Sequence, residues 1–155
     1  VEAYGQPPGR IAVIGNGVDL ARFRPLPSDP DRRAALGLAG KRVILAPTRL
    51  VPRKGVDRLI AAMPAIVERH PDALLLIVGD GPQRGELETH AAGDPAVRFL
   101  GPVAAADMPA LYALAEIVAL PNRAEPGESD GAPLVFLEAG ACRRPVIGGL
   151  AGGTA

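Results

Sequence analysis

The sequence predicts an α/β domain built on a doubly wound parallel sheet, and three observations predict it. Short apolar runs alternate with helical patterns along the whole chain. The run Ala73-Leu-Leu-Leu-Ile-Val78 is apolar without alternation, as a parallel strand covered on both faces must be. The connections between runs are long enough for crossover helices. In such sheets ligands bind beyond the carboxyl ends of the strands, so the loops leaving those ends are where chemistry is to be sought.

With 155 residues, 48% of them apolar and 22% charged, the chain has room for one domain with a core of its own. Lys plus Arg equals Asp plus Glu at 17 each, so no field of one sign draws in nucleic acid or an anionic membrane. Aromatic residues make up 3% and tryptophan is absent, which disfavours stacking platforms for single-stranded nucleic acid. No run approaches the roughly 18 apolar residues of a membrane span. Val1 to Arg10 lacks the charged and then apolar parts of a signal peptide, so a cytoplasmic location is expected. Cys142 is the single cysteine; no internal disulfide can form, and among small neighbours it reads as a buried apolar residue.

Residues 1–10 are rich in Pro and Gly and have no period; they read as a linker or the remnant of a preceding domain, with the folded domain at 11–155. Ile11-Ala-Val-Ile14 is a short strand that runs into the turn Gly15-Asn-Gly17. Ser28 to Leu36 has a cap-like start, Pro30 near the first turn and Gly37 as a stop, which predicts a short helix. Arg42 to Ala46 is the next strand, and Pro47 to Gly55 is a basic loop. It leads into a helix over Val56 to Arg69, where Leu59, Ile60, Met63, Ile66 and Val67 recur at helical spacing and Pro64 should introduce a kink.

Ala73 to Val78 is expected at the centre of the sheet. Gly79-Asp-Gly-Pro82 turns into a helix that ends near Ala92, and Val97 to Leu100 is a strand. Asp107 can cap a helix to Ala115, Ile117 to Leu120 is a further strand, and Pro145 to Gly148 is the last. His70 and His90 read as surface or capping residues, and Tyr112 as core.

Asp130 to Cys142 is the stretch the rest is organised around. Pro133 suits the first position of a helix, and Gly131 with Ala132 leaves the preceding turn open to close approach. Glu138 lies four residues after Leu134 and three before Ala141, so it shares a stripe with apolar residues. Burying a carboxylate there without partners costs several kcal/mol, roughly, so Glu138 should have donors to accept from. Asp130 stands just before the helix, at an end that favours anions.

The other loops at the carboxyl ends carry Gly15 and Gly17, Gly79 and Gly81, and Gly101, where glycines let backbone approach a ligand. Arg49 and Lys54 supply two cations beside the N-terminus of the Val56 helix, a setting suited to a diphosphate. Arg53, between them, need not face the same way.

These motifs in their order (Ile14-Gly-Asn-Gly-Val-Asp19 with Arg22-Phe-Arg-Pro25, Thr48 to Gly55, Ile77 to Pro82, Val97 to Gly101 and Asp130 to Ala141) resemble the C-terminal domain of the retaining glycosyltransferases of family 4. The whole enzymes of that family have the two-domain GT-B fold, and this chain looks like its Rossmann-like, donor-binding half. The run from Arg49 to Leu76 most resembles the phosphatidylinositol mannosyltransferase-like members.

The resemblance implies a nucleoside-diphosphate sugar, GDP- or UDP-linked, as donor, with a hexose such as mannose to transfer. Arg49 and Lys54 would hold the diphosphate and steady the leaving charge, Glu138 would accept from the ribose hydroxyls, and Asp130 would sit against the sugar. The backbone from Gly101 to Val103 would meet the base, and Gly15, Gly17, Gly79, Gly131, Ala132 and Leu134 complete the donor-binding positions. No metal and no cofactor are implied, since the two cations serve where a magnesium ion otherwise would. Asp29-Pro-Asp31 spells the Asp-x-Asp of metal-dependent sugar transferases, but at a helix start it reads as capping.

The pattern departs from the family at position 130, which is Asp where the spacing Glu-x7-Glu has Glu. The resemblance further implies an acceptor domain ahead of Val1, an acceptor that is a lipid or a glycan, and closing elements after Ala155; the domain as given would be truncated and inactive alone. Two other readings stand beside it. One is a dinucleotide-binding module of an oxidoreductase, resting on Gly79-Asp-Gly81, although position 84 is Arg where that fingerprint needs glycine. The other is a non-catalytic relative that binds a nucleotide sugar.

Overall fold

The computed structural model describes residue 12, residues 14–124 and residues 133–151. Five strands form its sheet: β1 (Arg42–Pro47), β2 (Ala73–Val78), β3 (Val97–Gly101), β4 (Ile117–Leu120) and β5 (Val146–Gly148). All are parallel, in the order β3-β2-β1-β4-β5. Five α-helices alternate with them: α1 (Pro30–Ala35), α2 (Val56–Arg69), α3 (Arg84–Ala91), α4 (Met108–Leu114) and α5 (Leu134–Ala141).

The chain steps outward from β1 to β2 and β3, then returns to the other side of β1 for β4 and β5. The central strand is therefore β1, not β2. All six positions of β2 are buried, and its apolar run reports that both faces are covered. Burial of both faces marks an interior strand, but it carries no information on which interior place the strand takes.

Side chains alternate between two cores along each strand. On one face Leu74, Leu76 and Val78 of β2 join Val43, Leu45, Phe23, Leu111 and Tyr112. On the other, Leu75 and Ile77 join Ile60 and Met63 of α2 and Leu87 of α3. Each such side chain stabilises the fold by roughly 1.5–3 kcal/mol through burial, so the sheet is held from both sides. α2 continues through Pro64 to Arg69, with Val56, Ile60 and Met63 as its buried residues.

Helix starts differ from expectation in instructive ways. The cap of α1 is Asp29, whose Oδ1 accepts from the backbone N–H of Asp31 at 2.9 Å and of Arg32 at 3.2 Å. This is the capping role read for Asp29-Pro-Asp31. Asp107 does not cap α4; its carboxylate takes the Arg32 guanidinium at 3.2 Å, and a short 3-10 turn over Ala105–Asp107 already leads into the helix. Pro133 occupies the cap position of α5 rather than the first helical one.

The strand expected at Ile11 to Ile14 falls partly outside the described residues. Ala12 and Ile14 lie in no strand, and Ile14 is 89% exposed. An apolar run becomes a strand only where a sheet edge receives it, and the described sheet pairs its five strands with one another. At one edge of the sheet β5 is exposed at all three positions. Among the described residues no helix is long and apolar enough to cross a membrane.

Candidate functional site

Past their last strand residues, β1 and β2 keep pairing. The N–H of Thr48 donates to the Val78 carbonyl at 2.8 Å, and that of Leu50 to the Asp80 carbonyl at 2.9 Å. Arg49 lies between these two anchored residues and is itself exposed, so its backbone is fixed while its guanidinium remains accessible. Gly79 has φ +126°, and a Cβ there would stand 2.0 Å from the Thr48 carbonyl oxygen; one on Gly81 would stand 2.4 Å from that of Leu50. The sequence reading gave these glycines to a ligand. The space left by their missing side chains is taken instead by the neighbouring loop, so they are needed to join the two strand ends.

Over these strand ends lies a cavity of about 350 Å³. Thr48, Arg49 and Gly79 form one side, Val103 and Met108 another, and Val135 with Glu138 of α5 the third. It lies beyond the carboxyl ends of β1 and β2, beside β1, from which the chain turns first one way and then the other, the place where doubly wound sheets hold ligands. A larger cavity of about 750 Å³ between α2 and α3 is lined by Ile60, Pro64, His90 and Asp94 among others. None of the residues singled out in the sequence for donor binding lines it, so size alone does not mark the site.

Glu138 lines this cavity half-buried and, among the described residues, has one strong donor. The hydroxyl of Tyr112, on α4, donates to its Oε2 at 2.7 Å, with the Val135 carbonyl 3.5 Å away. Tyr112 is wholly buried. Burial above all, then the hydrogen bond to Glu138 and the charges of Glu138 and Cys142, holds its phenol far above the ordinary value, so it remains a donor at every working pH. Cys142, the buried free thiol, is also pushed up, chiefly by burial. It acts as packing.

Arg49, Gly79, Val103 and Glu138 thus meet at one cavity, and other residues singled out from the sequence do not line it. Lys54 lies on the 3-10 turn Pro52–Lys54 that precedes α2. Gly101 is buried at the end of β3, where its carbonyl accepts from Gly79 N–H at 2.8 Å, one residue before Pro102 reaches the cavity wall. Leu134 opens α5 and is 50% exposed. Gly15 and Gly17 are exposed, with nothing within 4 Å of a Cβ placed on either. Asp130, Gly131 and Ala132 lie outside the described residues. Among the described residues no group of three His, Cys, Asp or Glu is arranged to hold a metal.

Two features escaped the sequence reading. One is the Tyr112–Glu138 bond; the available signal was a tyrosine, not a phenylalanine, in the apolar run Leu111-Tyr-Ala-Leu114, since a buried phenol needs a partner. The other is a latch between Arg123, after β4, and α2. Arg123 donates to Asp57 Oδ2 at 2.7 Å, while its N–H donates to the Arg53 carbonyl at 2.9 Å. This ties the start of the loop that leads toward α5 to the basic turn before α2. No spacing rule could have paired them.

Comparison with known proteins gives a consistent picture. The model of the family "Glycosyl transferases group 1" matches residues 41–155. The chain is 39% identical to the GDP-mannose-dependent alpha-(1-6)-phosphatidylinositol monomannoside mannosyltransferase of Mycolicibacterium smegmatis, over 97% of this chain and 41% of that protein. It is 42% identical to the GDP-mannose-dependent monoacylated alpha-(1-6)-phosphatidylinositol monomannoside mannosyltransferase of Corynebacterium glutamicum, again over 97% of this chain and 41% of the other. Among solved structures it resembles Anabaena HepE in complex with UDP, with a TM-score of 0.79 at 30% identity, covering 98% of this chain and 42% of that one. It also resembles the C-terminal domain of the group 1 glycosyl transferase LpcC of Francisella tularensis, with a TM-score of 0.73 at 26% identity, over 89% and 73% of the two chains. The chain therefore spans about two-fifths of the length of the two mannosyltransferases, 41% in each case.

Proposed function

The chain belongs to the group 1 glycosyl transferases, and from that premise we propose that it is the part that holds the activated sugar donor. The observation that carries this reading is the meeting of Arg49 and Glu138, far apart in the sequence, at one cavity beyond the strand ends. In this reading the diphosphate lies against Arg49, with Lys54 on the adjoining turn, and the ribose hydroxyls donate to Glu138. The base rests on the backbone from Gly101 to Val103, and Asp130 stands against the sugar.

The chemistry follows from charge. When the bond between the sugar carbon and the phosphate oxygen breaks, negative charge grows on the departing nucleoside diphosphate. A guanidinium placed there stabilises the transition state more than the bound donor, which is what lowers the barrier. The acceptor hydroxyl forms its bond to the same carbon and gives its proton to the departing phosphate oxygen, with retention at that carbon. Arg49 and Lys54 supply the positive charge, so this reading assigns no metal.

The protein that carries this domain is then a hexosyltransferase. The names of the mannosyltransferase relatives support GDP-mannose as donor and a phosphatidylinositol-type lipid as acceptor; in this reading a domain outside this sequence holds that acceptor at the inner face of a membrane. Isothermal titration of the 155-residue chain with GDP, GDP-mannose, UDP and UDP-glucose tests the donor site. Binding at millimolar concentration or tighter, weakened roughly tenfold or more in Arg49→Ala and in Glu138→Ala, is the expected result. Indifference to all four compounds would overturn the reading.

A further inference from the structure

The hydroxyl of Tyr112 reaches Glu138 from a ring that has almost no freedom of its own. Tyr112 is fully buried and packs edge-on against Phe23, with centroids 6.1 Å apart and planes at 70°. Phe23 in turn lies under the Arg22 guanidinium, 4.9 Å from the ring centre, and Arg22 is anchored to the Ala105 carbonyl. A turn just ahead fixes this segment, where Asp19 Oδ1 accepts from Ala21 N–H at 2.9 Å and Arg22 N–H at 3.2 Å. The segment before the sheet therefore clamps the tyrosine, and the tyrosine clamps the carboxylate.

A glutamate that is free to rotate gives up side-chain entropy when a ligand orders it, and that loss is subtracted from affinity. A carboxylate oxygen already engaged by a buried phenol is fixed in rotation before any ligand arrives. Each carboxylate oxygen offers two lone pairs, so the bond from Tyr112 leaves Glu138 with acceptor capacity to spare.

We propose that Tyr112 is a positioning residue for the nucleoside end of the donor: by holding Oε2 of Glu138 it presets the carboxylate to accept from a vicinal pair of ribose hydroxyls. The inference rests on the donor-site reading and adds a residue that touches no ligand itself. It also makes a distinction that packing alone would not. Removing the phenolic oxygen weakens the ligand's hydroxyl contacts and leaves its phosphates and base untouched.

The test uses Tyr112→Phe, which keeps the ring and its contact with Phe23. Titration calorimetry compares the tighter of GDP and UDP with its 2′,3′-dideoxy counterpart. The unaltered chain should prefer the ribonucleotide; the variant should lose roughly threefold to tenfold in affinity for it, the cost of ordering one side chain on binding, and nothing for the dideoxy compound. In a Glu138→Ala background, adding Tyr112→Phe should change ribonucleotide affinity no further, which the double-mutant cycle reads directly.

Equal loss for both nucleotides, or no loss for either, would overturn the proposal while leaving the donor site standing. Additive losses in the cycle would do the same. If the unaltered chain binds no nucleotide, the donor-site reading falls and takes this inference with it.

Discussion

A side chain at position 79 would collide with the carbonyl oxygen of Thr48, since a Cβ on Gly79 would lie 2.0 Å from it, and the backbone there, at φ +126°, is one that L side chains rarely adopt. The oxygen belongs to backbone that is hydrogen-bonded on both sides, so it cannot move aside cheaply. Gly79→Ala should cost more than about 2 kcal/mol of stability. Gly15→Ala, where nothing lies within 4 Å, should stay within about 0.5 kcal/mol of the unaltered chain. Urea unfolding of the two variants side by side makes the comparison, and equal midpoints would sink it.

Glu138 has a structural duty as well as the proposed binding one, and two substitutions separate them. Glu138→Ala removes the acceptor at 2.7 Å from the Tyr112 hydroxyl and strands a buried donor, at a cost of about 1–3 kcal/mol. Glu138→Gln keeps an oxygen there and should be appreciably less destabilising. Both should weaken ribonucleotide binding. Chemical denaturation followed by titration reads the two effects separately; identical destabilisation by Ala and Gln would contradict the hydrogen bond's role.

Arg49 should show the opposite profile. It is exposed, so Arg49→Ala should leave the unfolding transition where it was. Affinity for GDP should fall roughly tenfold or more, while affinity for guanosine, which lacks the diphosphate, should not change. Arg49→Lys should recover only part of the loss, because a lysine offers charge without the planar fork. Added salt should narrow the gap between the unaltered chain and Arg49→Ala. A parallel loss for guanosine would place Arg49 elsewhere than at the diphosphate.

The buried phenol of Tyr112 makes alkaline stability a readout of the fold. Its folded value lies far above the ordinary 10.0 that it has when unfolded. Below that ordinary value both states keep the proton and the contribution is whole. Above it the unfolded chain releases a proton that the folded chain retains, so stability falls as pH rises, by about 1.4 kcal/mol per pH unit. Tyr112→Phe should lack this component. Unfolding measured from pH 9 to 11 should give the unaltered chain the steeper decline, and parallel slopes would remove the basis for it.

Much of the fold was written in local pattern. The six apolar residues of β2, the helical spacing of α2 and the glycine-ended runs of β3 and β5 each specify an element on their own, because period and flanking turns are properties of neighbouring residues. Strand order is not such a property. Whether β1 or β2 takes the middle depends on which side of β1 the chain returns to after α4, a choice made by packing over the whole sheet. The Ile11 to Ile14 run carries the same lesson, since an apolar stretch cannot report whether an edge awaits it.

The candidate site divides in the same way. Arg49 and Glu138 could be read from motifs, and the doubly wound fold then brings them together. Tyr112 could not, because its importance lies in a partner 2.7 Å away on another helix and its own neighbourhood reads as core. Gly79 was noticed for a reason the structure revises: the backbone it admits is that of Thr48. A glycine pattern shows that something approaches closely, and leaves open whether it is ligand or protein.

The place of β1 in the sheet has a consequence for how the chain is made. Ile44 pairs with Ile117 on one side, while on the other it pairs with Leu75. During synthesis β2 arrives soon after β1, but β4 leaves the ribosome much later, at about 5–20 residues per second. For several seconds the strand that ends innermost presents an open, apolar border to solvent. Over that interval a chaperone, or the same strand of a neighbouring nascent copy, competes with β4 for it, so yield in the cell should respond to translation speed between α2 and β4 more than to the stability of the finished domain.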